Sequence, residues 1–289
     1  EEHGQPIPER QGVVRWLVRL NGETHWFDTQ ADAIRTFPQI PPKSFTFISA
    51  TIYDNPILMQ RDPGYLASLY ALPRVEQARL LHGNWNVFPS KGDYFKRGDF
   101  EIINGVESIS VFTQIVLAWD FAATEPSESN PDPDWTVGIL MAKCRDGYFY
   151  VLDMVRQRLN PTDLKRLFVN TVISHAQLYP QMTCRIPQDP AAAGKITAQY
   201  YIDMLNDIGF YNTKAVNVTG SKASRAIPAS QQTGLKKVRV MAGGWNGAFF
   251  SELESFIGES QKGIHDDIVD SFSDGINELI TDAQYLEII

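Results

Sequence analysis

The sequence predicts an α/β protein in which a mixed sheet is flanked by helices and preceded by a small α+β region. Short apolar runs of strand length alternate with longer segments whose apolar residues recur at helical spacing. Three strand-like runs follow one another before the first long helix, which indicates an antiparallel meander rather than a Rossmann fold. Hydrophobic residues make up 43% of the 289 residues, enough for a substantial core.

Composition limits the classes of protein to which the chain belongs. No apolar run approaches the ~20 residues that a membrane span requires. The acidic start Glu1-Glu2 is unlike a signal peptide, so we expect a cytoplasmic protein without a membrane partner. Because the first residue is not Met, we expect a piece of a longer protein.

Motifs of several common cofactor sites are missing from the sequence. Cys144 and Cys184 lack CxxC spacing, which argues against a zinc site and a structural disulfide. No G-x-G-x-x-G follows a predicted strand, and no G-x-x-x-x-G-K-[ST] occurs. We therefore expect no nucleotide site in this chain.

Residues 1–100 are predicted to form the small α+β region, a linker or appendage without an evident catalytic group. Asn21-Gly22 between two runs of strand formers is the typical signal of a β-hairpin. Pro38, Pro41 and Pro42 then form a link to the next strand. The predicted elements are a hairpin over 13–20 and 24–27, a short helix near 29–36, a strand over 45–51, and helices over 64–71 and 74–82.

A second domain is predicted over residues 101–289, because glycines among charged residues mark a change of character between 92 and 110. Asp146-Gly147 is a tight-turn signal between the second and third strands of the meander. Asn160-Pro161 has the chemistry of a helix start, and Gly209 that of a helix end. The predicted strands cover 115–120, 135–143, 148–155, 182–187, 211–218 and 237–241. The predicted helices cover 160–179, 195–208, 248–257 and 265–280, with a basic loop between the last two strands.

Acidic residues follow the predicted elements at three places: Asp120 after the first strand of the meander, Asp189 after the fourth strand, and Asp266-Asp267 with Asp270 at the start of the last helix. A strand ending at a turn-favouring residue explains Asp120 alone, and macrodipole compensation explains the pair at 266 and 267 alone. Neither explains all three places. Hard oxygen ligands without His or Cys partners suit Mg²⁺ or Mn²⁺, and two such ions about 4 Å apart hydrolyse phosphodiesters.

Basic residues are concentrated in one acid-free segment of an otherwise acidic chain. The formal net charge of −8 argues against bulk electrostatic binding of nucleic acid. Between Asp207 and Glu252, however, there is no acidic residue. A solvated face is the simpler explanation, but a local contact with a polyanion fits better. The basic residues of this segment are Lys214, Lys222, Arg225, Lys236, Lys237 and Arg239.

Several blocks of the sequence resemble the large terminase subunit of tailed bacteriophages. Trp119-Asp120, the run 186–195 (IPQDPAAAGK) and the run 265–270 (HDDIVD) are similar to its nuclease domain. The runs 47–51 (FISAT) and 80–85 (LLHGNW) resemble the segment that joins its packaging ATPase to the nuclease. The resemblance implies a ribonuclease H-like fold and covers most of the chain, whereas the Walker-bearing ATPase half is missing.

The resemblance also implies roles for the acidic residues. By matching position, the resemblance implies that Asp120 is the metal-bridging acid and Asp189 the second ligand. Asp266 and Asp267 would complete the catalytic site. The site is expected to hold two ions of Mg²⁺ or Mn²⁺. Which member of the pair binds directly stays open, and Asp270 competes for the same role. His265 either orients the pair or contacts phosphate, with helix capping as the alternative.

Basic residues near this site are expected to bind DNA. Lys222 and Arg225 match a basic loop of the family, and Lys195 at the start of a helix is a weaker candidate. Lys236 and Lys237 are included because they lie in the acid-free segment.

The function implied is cleavage of double-stranded concatemeric viral DNA during genome packaging. The implied partners are double-stranded DNA, the portal protein, the small terminase subunit and the ATPase half of the same polypeptide. The implied location is the host cytoplasm and, transiently, the procapsid portal, so that the protein is not a stable virion component. Two alternatives remain: a resolvase-like or transposase-like nuclease, and a non-catalytic module that docks on DNA or the portal.

Overall fold

The computed structural model describes residues 7–20, 23–84, 87, 90–106, 108–122, 124–261 and 263–286. The chain divides into two compact units, one of Glu1–Ala71 with Val75–Phe88 and the other of Leu72–Arg74 with Pro89–Ile289. The functional division predicted at residue 100 stays a prediction. Among the described residues, no helix combines the length and the apolar character needed to cross a membrane.

The first unit contains a three-stranded sheet in the order β2-β1-β3. β1 (Arg15–Leu20) pairs antiparallel with β2 (Glu23–Phe27) and with β3 (Lys43–Phe45). Between β2 and β3 lies α1 (Gln30–Thr36), whose start is capped by the Thr29 hydroxyl, which accepts the Asp32 N–H. The predicted hairpin strands and short helix are thus confirmed, and the Asn21-Gly22 turn lies outside the described residues.

The strand predicted over 45–51 is wrong beyond its first residue. Phe45 pairs with Arg15, the first residue of β1, so the chain beyond Phe45 runs past the end of its partner strand. The chain continues with a 3₁₀ turn and helices. They are the 3₁₀ turn Ile52–Asp54, α2 (Pro56–Arg61), α3 (Pro63–Tyr70), α4 (Arg74–Glu76) and a π-helical turn Gln77–Leu81.

The second unit is built on a seven-stranded mixed sheet, which confirms the predicted fold class. Its strands are β4 (Glu101–Ile103), β5 (Phe112–Asp120), β6 (Thr136–Cys144), β7 (Phe149–Gln157), β8 (Thr183–Gln188), β9 (Thr213–Asn217) and β10 (Val238–Met241). Their order is β4-β10-β7-β6-β5-β8-β9. The pairs β5–β6 and β6–β7 are antiparallel, as the meander predicts, and the remaining pairs are parallel.

Five helices accompany this sheet: α5 (Pro161–Leu178), α6 (Ala192–Asp207), α7 (Lys222–Gly234), α8 (Asn246–Ser255) and α9 (Asp267–Leu286). The basic loop predicted before β10 is wrong, because Lys222 and Arg225 lie in the first turns of α7. Ser221 caps this helix by accepting the Ser224 N–H. Pro228 within the helix weakens the helical pattern in the sequence. The short β4 was also missed, since it pairs only with β10.

Helices cover both faces of the sheet, and β5 contributes alternate side chains to each face. Ile115, Leu117 and Trp119 pack in the core on the side of α5 and α6. Val116 and Ala118 pack in the core on the side of α7, α8 and α9. Because side chains alternate along a strand, Asp120 continues the row of Val116 and Ala118. It therefore points toward α9.

Helix α9 approaches the sheet closely at Gly275. A Cβ atom there would lie 1.9 Å from the Met141 Cε and 3.2 Å from the Ala118 Cβ. One turn earlier, the Ser271 hydroxyl donates a hydrogen bond of 3.0 Å to the Ala118 carbonyl. These contacts hold the first turns of α9 against the end of β5, where Asp120 is located.

Candidate active site

Asp120 and Asp189 reach the same edge of the sheet because β5 and β8 are parallel neighbours. Ala118 pairs with Arg185, so each acid follows a few residues after this pair. Asp189 itself is exposed and begins the turn into α6. The carboxyl ends of parallel strands are a common location for binding sites.

Gly194 explains how the chain turns so tightly after Asp189. A Cβ atom at residue 194 would lie 2.5 Å from both the Cβ and the backbone oxygen of Asp189. The first turn of α6 can therefore pack on Asp189 only because residue 194 has no side chain. This contact fixes the position of Asp189 relative to the helix.

The start of α9 brings its acids to the same edge, where two cavities share Asp120, Phe121 and Asp270. The first cavity, of about 470 Å³, is lined by polar and acidic residues. They include Asp120, Asp132, Asp134, Lys222, Ser260, His265, Asp266, Asp267 and Asp270. The second, of about 330 Å³, contains Asp189, Arg225 and Asp274 in addition to the shared acids. All five predicted acids thus line these two cavities.

Burial and the crowding of like charges raise the pKa values of the acids at this edge. Burial raises the pKa of Asp120 well above its usual value, and the charges of Asp270 and Asp267 raise it further. Burial also raises the pKa values of Asp267 and Asp270. Carboxylates crowded in this way favour the binding of a cation, because it removes their mutual repulsion.

The carboxylate oxygens of Asp266, directly before α9, and of Asp267 and Asp270 in its first turn differ in availability. Asp266 uses one oxygen for Lys222 and the other for the Ser260 hydroxyl, at 2.6 and 2.8 Å. Asp270 uses its two oxygens for Arg225 and Lys222, at 2.6 and 2.7 Å. Asp267 accepts the Trp135 N–H through Oδ2, and its Oδ1 accepts no hydrogen bond from the residues that the structure describes.

Asp120 also has an available carboxylate. Within the described part of the chain it has no hydrogen-bond partner. Among Asp120, Asp266, Asp267 and Asp270, the oxygens most open to a new ligand therefore belong to Asp120 and Asp267.

His265 lies at the acidic side of the larger cavity. Its Nε2 is 3.0 Å from the Asp132 carboxylate and 2.9 Å from the Arg158 guanidinium. Its Nδ1 is 3.6 Å from both Asp134 and Asp267. Ligand atoms of Asp134, His265 and Asp267 lie within 4.8 Å of one another, close enough to share an ion.

Asp266, directly before α9, and three acids of α9 form one row of alternating charge with four bases. Asp266, Asp270, Asp274 and Glu278 recur every four residues and therefore share one face of the helix. Lys222 bridges the first two acids, Arg225 the second and third, and Arg185 the third and fourth. Lys214 binds Glu278 at the far end. We call these eight residues the charge row.

Glu252 of α8 supports the start of α9 from another side. It is buried, accepts the Ile268 N–H through Oε1, and binds Arg156 at 2.7 Å through Oε2. Burial raises the pKa of Glu252 to about 7, although Arg156 opposes the shift. Arg156 in turn lies over the Trp135 ring, with the Arg158 guanidinium also within 3.9 Å of that ring's centroid.

Several of these residues were not predicted, and their signals differ. The four-residue spacing of Asp270, Asp274 and Glu278 was visible in the sequence as one acidic helix face. Arg185 and Glu252 gave no signal, because each meets its partners only after distant elements pack. The sequence also did not indicate that Lys222 and Arg225 bind carboxylates.

The remaining predicted DNA-binding residues lie in different places. Lys195 is exposed in the first turn of α6, next to Gly194 at the edge that carries Asp120. Lys236 and Lys237 are exposed just before β10. Since β10 runs parallel to β7, and β7 and β5 are both antiparallel to β6, these two lysines lie at the opposite edge of the sheet.

The donors at this edge fit a hard divalent cation. They are predominantly carboxylate oxygens, with one imidazole, and no thiol lines either cavity among the described residues. Such donor sets suit Mg²⁺ and Mn²⁺.

Comparison with known proteins adds the family to this geometry. The sequence matches the family model described as the terminase RNaseH-like domain over residues 117–279. A search of curated proteins finds no match.

Two solved structures share the fold at low sequence identity. The large terminase from a thermophilic bacteriophage, in complex with ADP, is 13% identical, with a TM-score of 0.57 over 81% of this chain and 56% of that chain. A second crystal form of the same terminase is 15% identical, with a TM-score of 0.55 over 80% and 54% of the two chains. The large terminase nuclease from the thermophilic phage G20c with bound magnesium is 15% identical, with a TM-score of 0.41 over 66% and 98%. This chain therefore spans little more than half the length of the terminase solved with ADP. The family model matches more than half of the residues of this chain, and the chain therefore belongs to the terminase RNaseH-like domain family.

Proposed function

We propose that this chain is a metal-dependent endonuclease that cleaves double-stranded concatemeric viral DNA during genome packaging. Membership of the terminase RNaseH-like family supports a nuclease role. The observation that carries the proposal is the meeting of Asp120, Asp189 and the acids of α9 around two cavities that share Asp120. A docking module does not require mutually repelling carboxylates from three elements to be packed together.

Asp120, Asp189, Asp266 and Asp267 are the residues that would hold Mg²⁺ or Mn²⁺, two ions per site. Asp120 suits the bridging role because it lines both cavities and has an available carboxylate. Asp267 is the better candidate of the α9 pair, since Asp266 and Asp270 have both oxygens engaged. When bound, such ions activate a water molecule and stabilise the leaving oxygen of a phosphodiester.

The protein's own groups orient and complete this site. Gly194 lets α6 fix Asp189, and Ser271 holds α9 against the end of β5. His265, held between Asp132 and Arg158, orients the acidic side of the cavity. Lys195, Lys222, Arg225, Lys236 and Lys237 are proposed to contact the phosphates of DNA, with Lys195 at the edge that carries the acids.

The wider biology is proposed by analogy with the proteins that this chain resembles. This chain covers 56% of the large terminase solved with ADP, so that terminase has a further part with no counterpart here. We infer that an ATPase half accompanies this domain, that the portal and the small terminase subunit are its partners, and that it acts in the host cytoplasm at the procapsid.

The proposal is tested by Asp120→Asn. We expect wild-type protein to nick and linearise plasmid DNA with Mn²⁺ or Mg²⁺, and the variant to lose at least about 100-fold in rate, because the bridging charge is removed. Asp207→Asn, which removes an exposed acid of α6 outside both cavities, is the matched control.

The alternatives give different outcomes. A docking module would show neither cleavage nor stabilisation by Mn²⁺ in the wild type. A resolvase-like nuclease would prefer branched DNA to linear duplex. Full activity of Asp120→Asn would reject the proposed site.

A further inference from the structure

The ammonium group of Lys222 occupies a position that a cation would be expected to take. It lies 2.6 Å from Asp266 Oδ1 and 2.7 Å from Asp270 Oδ2, on the wall of the cavity that also contains Asp120 and Asp267. Six aspartates line this cavity, and Lys222 is the only Lys or Arg among its described lining residues. Its charge is also near enough to lower the pKa of Asp120.

The local structure gives no other reason for a lysine at this point. Lys222 is the first residue of α7, where the helix macrodipole disfavours a positive charge. The acids of α9 outweigh this effect by direct pairing. A side chain that is half-buried, bent onto two carboxylates and placed against the dipole is held by the acid cluster itself.

We propose that Lys222 is an internal counter-ion of the metal-free site, and that a divalent cation binding to the Asp266 and Asp270 side of the cluster displaces its ammonium group. Lys222 holds one oxygen of each acid, Asp266 Oδ1 and Asp270 Oδ2, so a cation that coordinates either of these oxygens would lie against the ammonium group and be repelled by it. This inference rests on the proposed metal-dependent function.

Displacement also changes what Lys222 is able to bind. Once released, its ammonium lies beside the metal site with its charge unpaired, and a phosphate of the DNA backbone is the group that it fits. The same residue would then neutralise the site before metal arrives and contact the substrate afterwards. Arg225 remains paired with Asp270 and Asp274 and keeps α9 in place.

The first test measures metal binding without any cleavage. Calorimetric titration of Mn²⁺ into Lys222→Met should show an affinity for Mn²⁺ at least about tenfold tighter than wild type. The reason is that one nearby charge shifts the binding of a cation such as H⁺ to a carboxylate by about one to three powers of ten. Lys222→Arg, which keeps the charge, should stay near wild type. Lys165→Met, which removes an exposed lysine of α5 outside both cavities, should also stay near wild type.

The second test observes the ammonium directly in the wild-type protein, so it does not depend on the folding of a neutral variant. Lysine ammonium resonances in ¹⁵N NMR should include one ordered signal that is missing in Lys222→Arg. Saturation with Mg²⁺ should shift or broaden that signal. A signal that stays unchanged at saturation, or unchanged Mn²⁺ affinity in a folded Lys222→Met, would overturn the proposal.

Neither readout requires DNA hydrolysis. A wild-type protein that binds Mn²⁺ and displaces Lys222 but cuts no DNA would reject the nuclease function and keep this inference. A protein that cuts DNA while the Lys222 signal stays constant would reject this inference and keep the nuclease function.

Discussion

Arg185 of β8 donates a hydrogen bond of 2.8 Å to Asp274 of α9, although the two residues are only 4% and 5% exposed. This pair joins the strand that delivers Asp189 to the helix that delivers Asp266, Asp267 and Asp270. Asp274 also binds Arg225, so it is shared between β8 and α7. The geometry of the proposed site therefore depends on a buried ion pair at its border, one helical turn beyond Asp270.

Removing the Asp274 carboxylate should lower the free energy of unfolding. In Asp274→Ala the buried Arg185 loses its closest partner, and breaking a buried pair from one side typically costs about 3–5 kcal/mol. We expect a loss of that size in the free energy of unfolding, measured with urea. Glu101→Ala breaks the more exposed pair with Arg239 and should cost less than about 1 kcal/mol. Equal effects of the two variants would show that burial of the pair does not matter.

Gly194→Ala should impair the site more than the fold. The added Cβ would overlap the backbone of Asp189, so Asp189 must move, and a displacement of about 1 Å can cost about 100-fold in rate. We expect weaker Mn²⁺-dependent cleavage with little change in the unfolding midpoint. Gly234→Ala, where an added Cβ meets nothing within 4 Å, is the control. Wild-type activity in Gly194→Ala would remove Asp189 from the catalytic set.

The buried carboxyl of Glu252 should make stability depend on pH. Its pKa is about 7 in the folded protein and about 4.3 in an unfolded chain, so the folded state holds more protons between these values. Stability should therefore fall as pH rises from about 4.3 to about 7, by at most about 1.4 kcal/mol per pH unit from this group, and level off above.

Glu252→Gln should flatten that slope, because the amide cannot lose a proton. Urea unfolding at several pH values between about 4.5 and about 8 measures it, with Glu101→Gln as the exposed control. A slope that is the same in the Gln variant and the wild type would assign the pH dependence to other groups.

DNA contacts at the two edges of the sheet should depend on duplex length. β5 has nine residues and spans roughly 30 Å, which separates Lys195 at one edge of the sheet from Lys236 and Lys237 at the other. A duplex bound at Lys195 should therefore also contact Lys236 and Lys237 only if it is longer than about 9 base pairs. For a duplex of about 30 base pairs, Lys236→Ala with Lys237→Ala should reduce the slope of log affinity against log salt by about 1.8.

A duplex of about 8 base pairs should show no such reduction, whereas Lys195→Ala should lower the slope by about 0.9 for both lengths. Fluorescence anisotropy with catalytically inactive Asp120→Asn supplies the measurement. An unchanged slope for the double variant on the long duplex would remove Lys236 and Lys237 from the DNA interface.

Local patterns predicted most of the second unit. The meander, α5 and the positions of Asp120 and Asp189 after their strands follow from short apolar runs, turn signals and caps that involve neighbours in sequence. Helix α7 was missed because Pro228 and small polar residues conceal its period, and its support comes from α9. The strand predicted to Thr51 failed because β1 begins only at Arg15, the partner of Phe45, and the residues after Phe45 therefore have no strand to pair with.

By itself the sequence determined which acids reach the ends of elements and that the last helix begins with a cluster of them, because these properties depend on spacing along the chain. Only the tertiary structure decided which carboxylate oxygens are available. Lys222 and Arg225 reach Asp266 and Asp270 across 44 and 45 residues of sequence, and Arg185 reaches Asp274 across 89. Such pairing depends on how α7, α9 and β8 pack, since a charge finds its partner by distance in space and not along the chain.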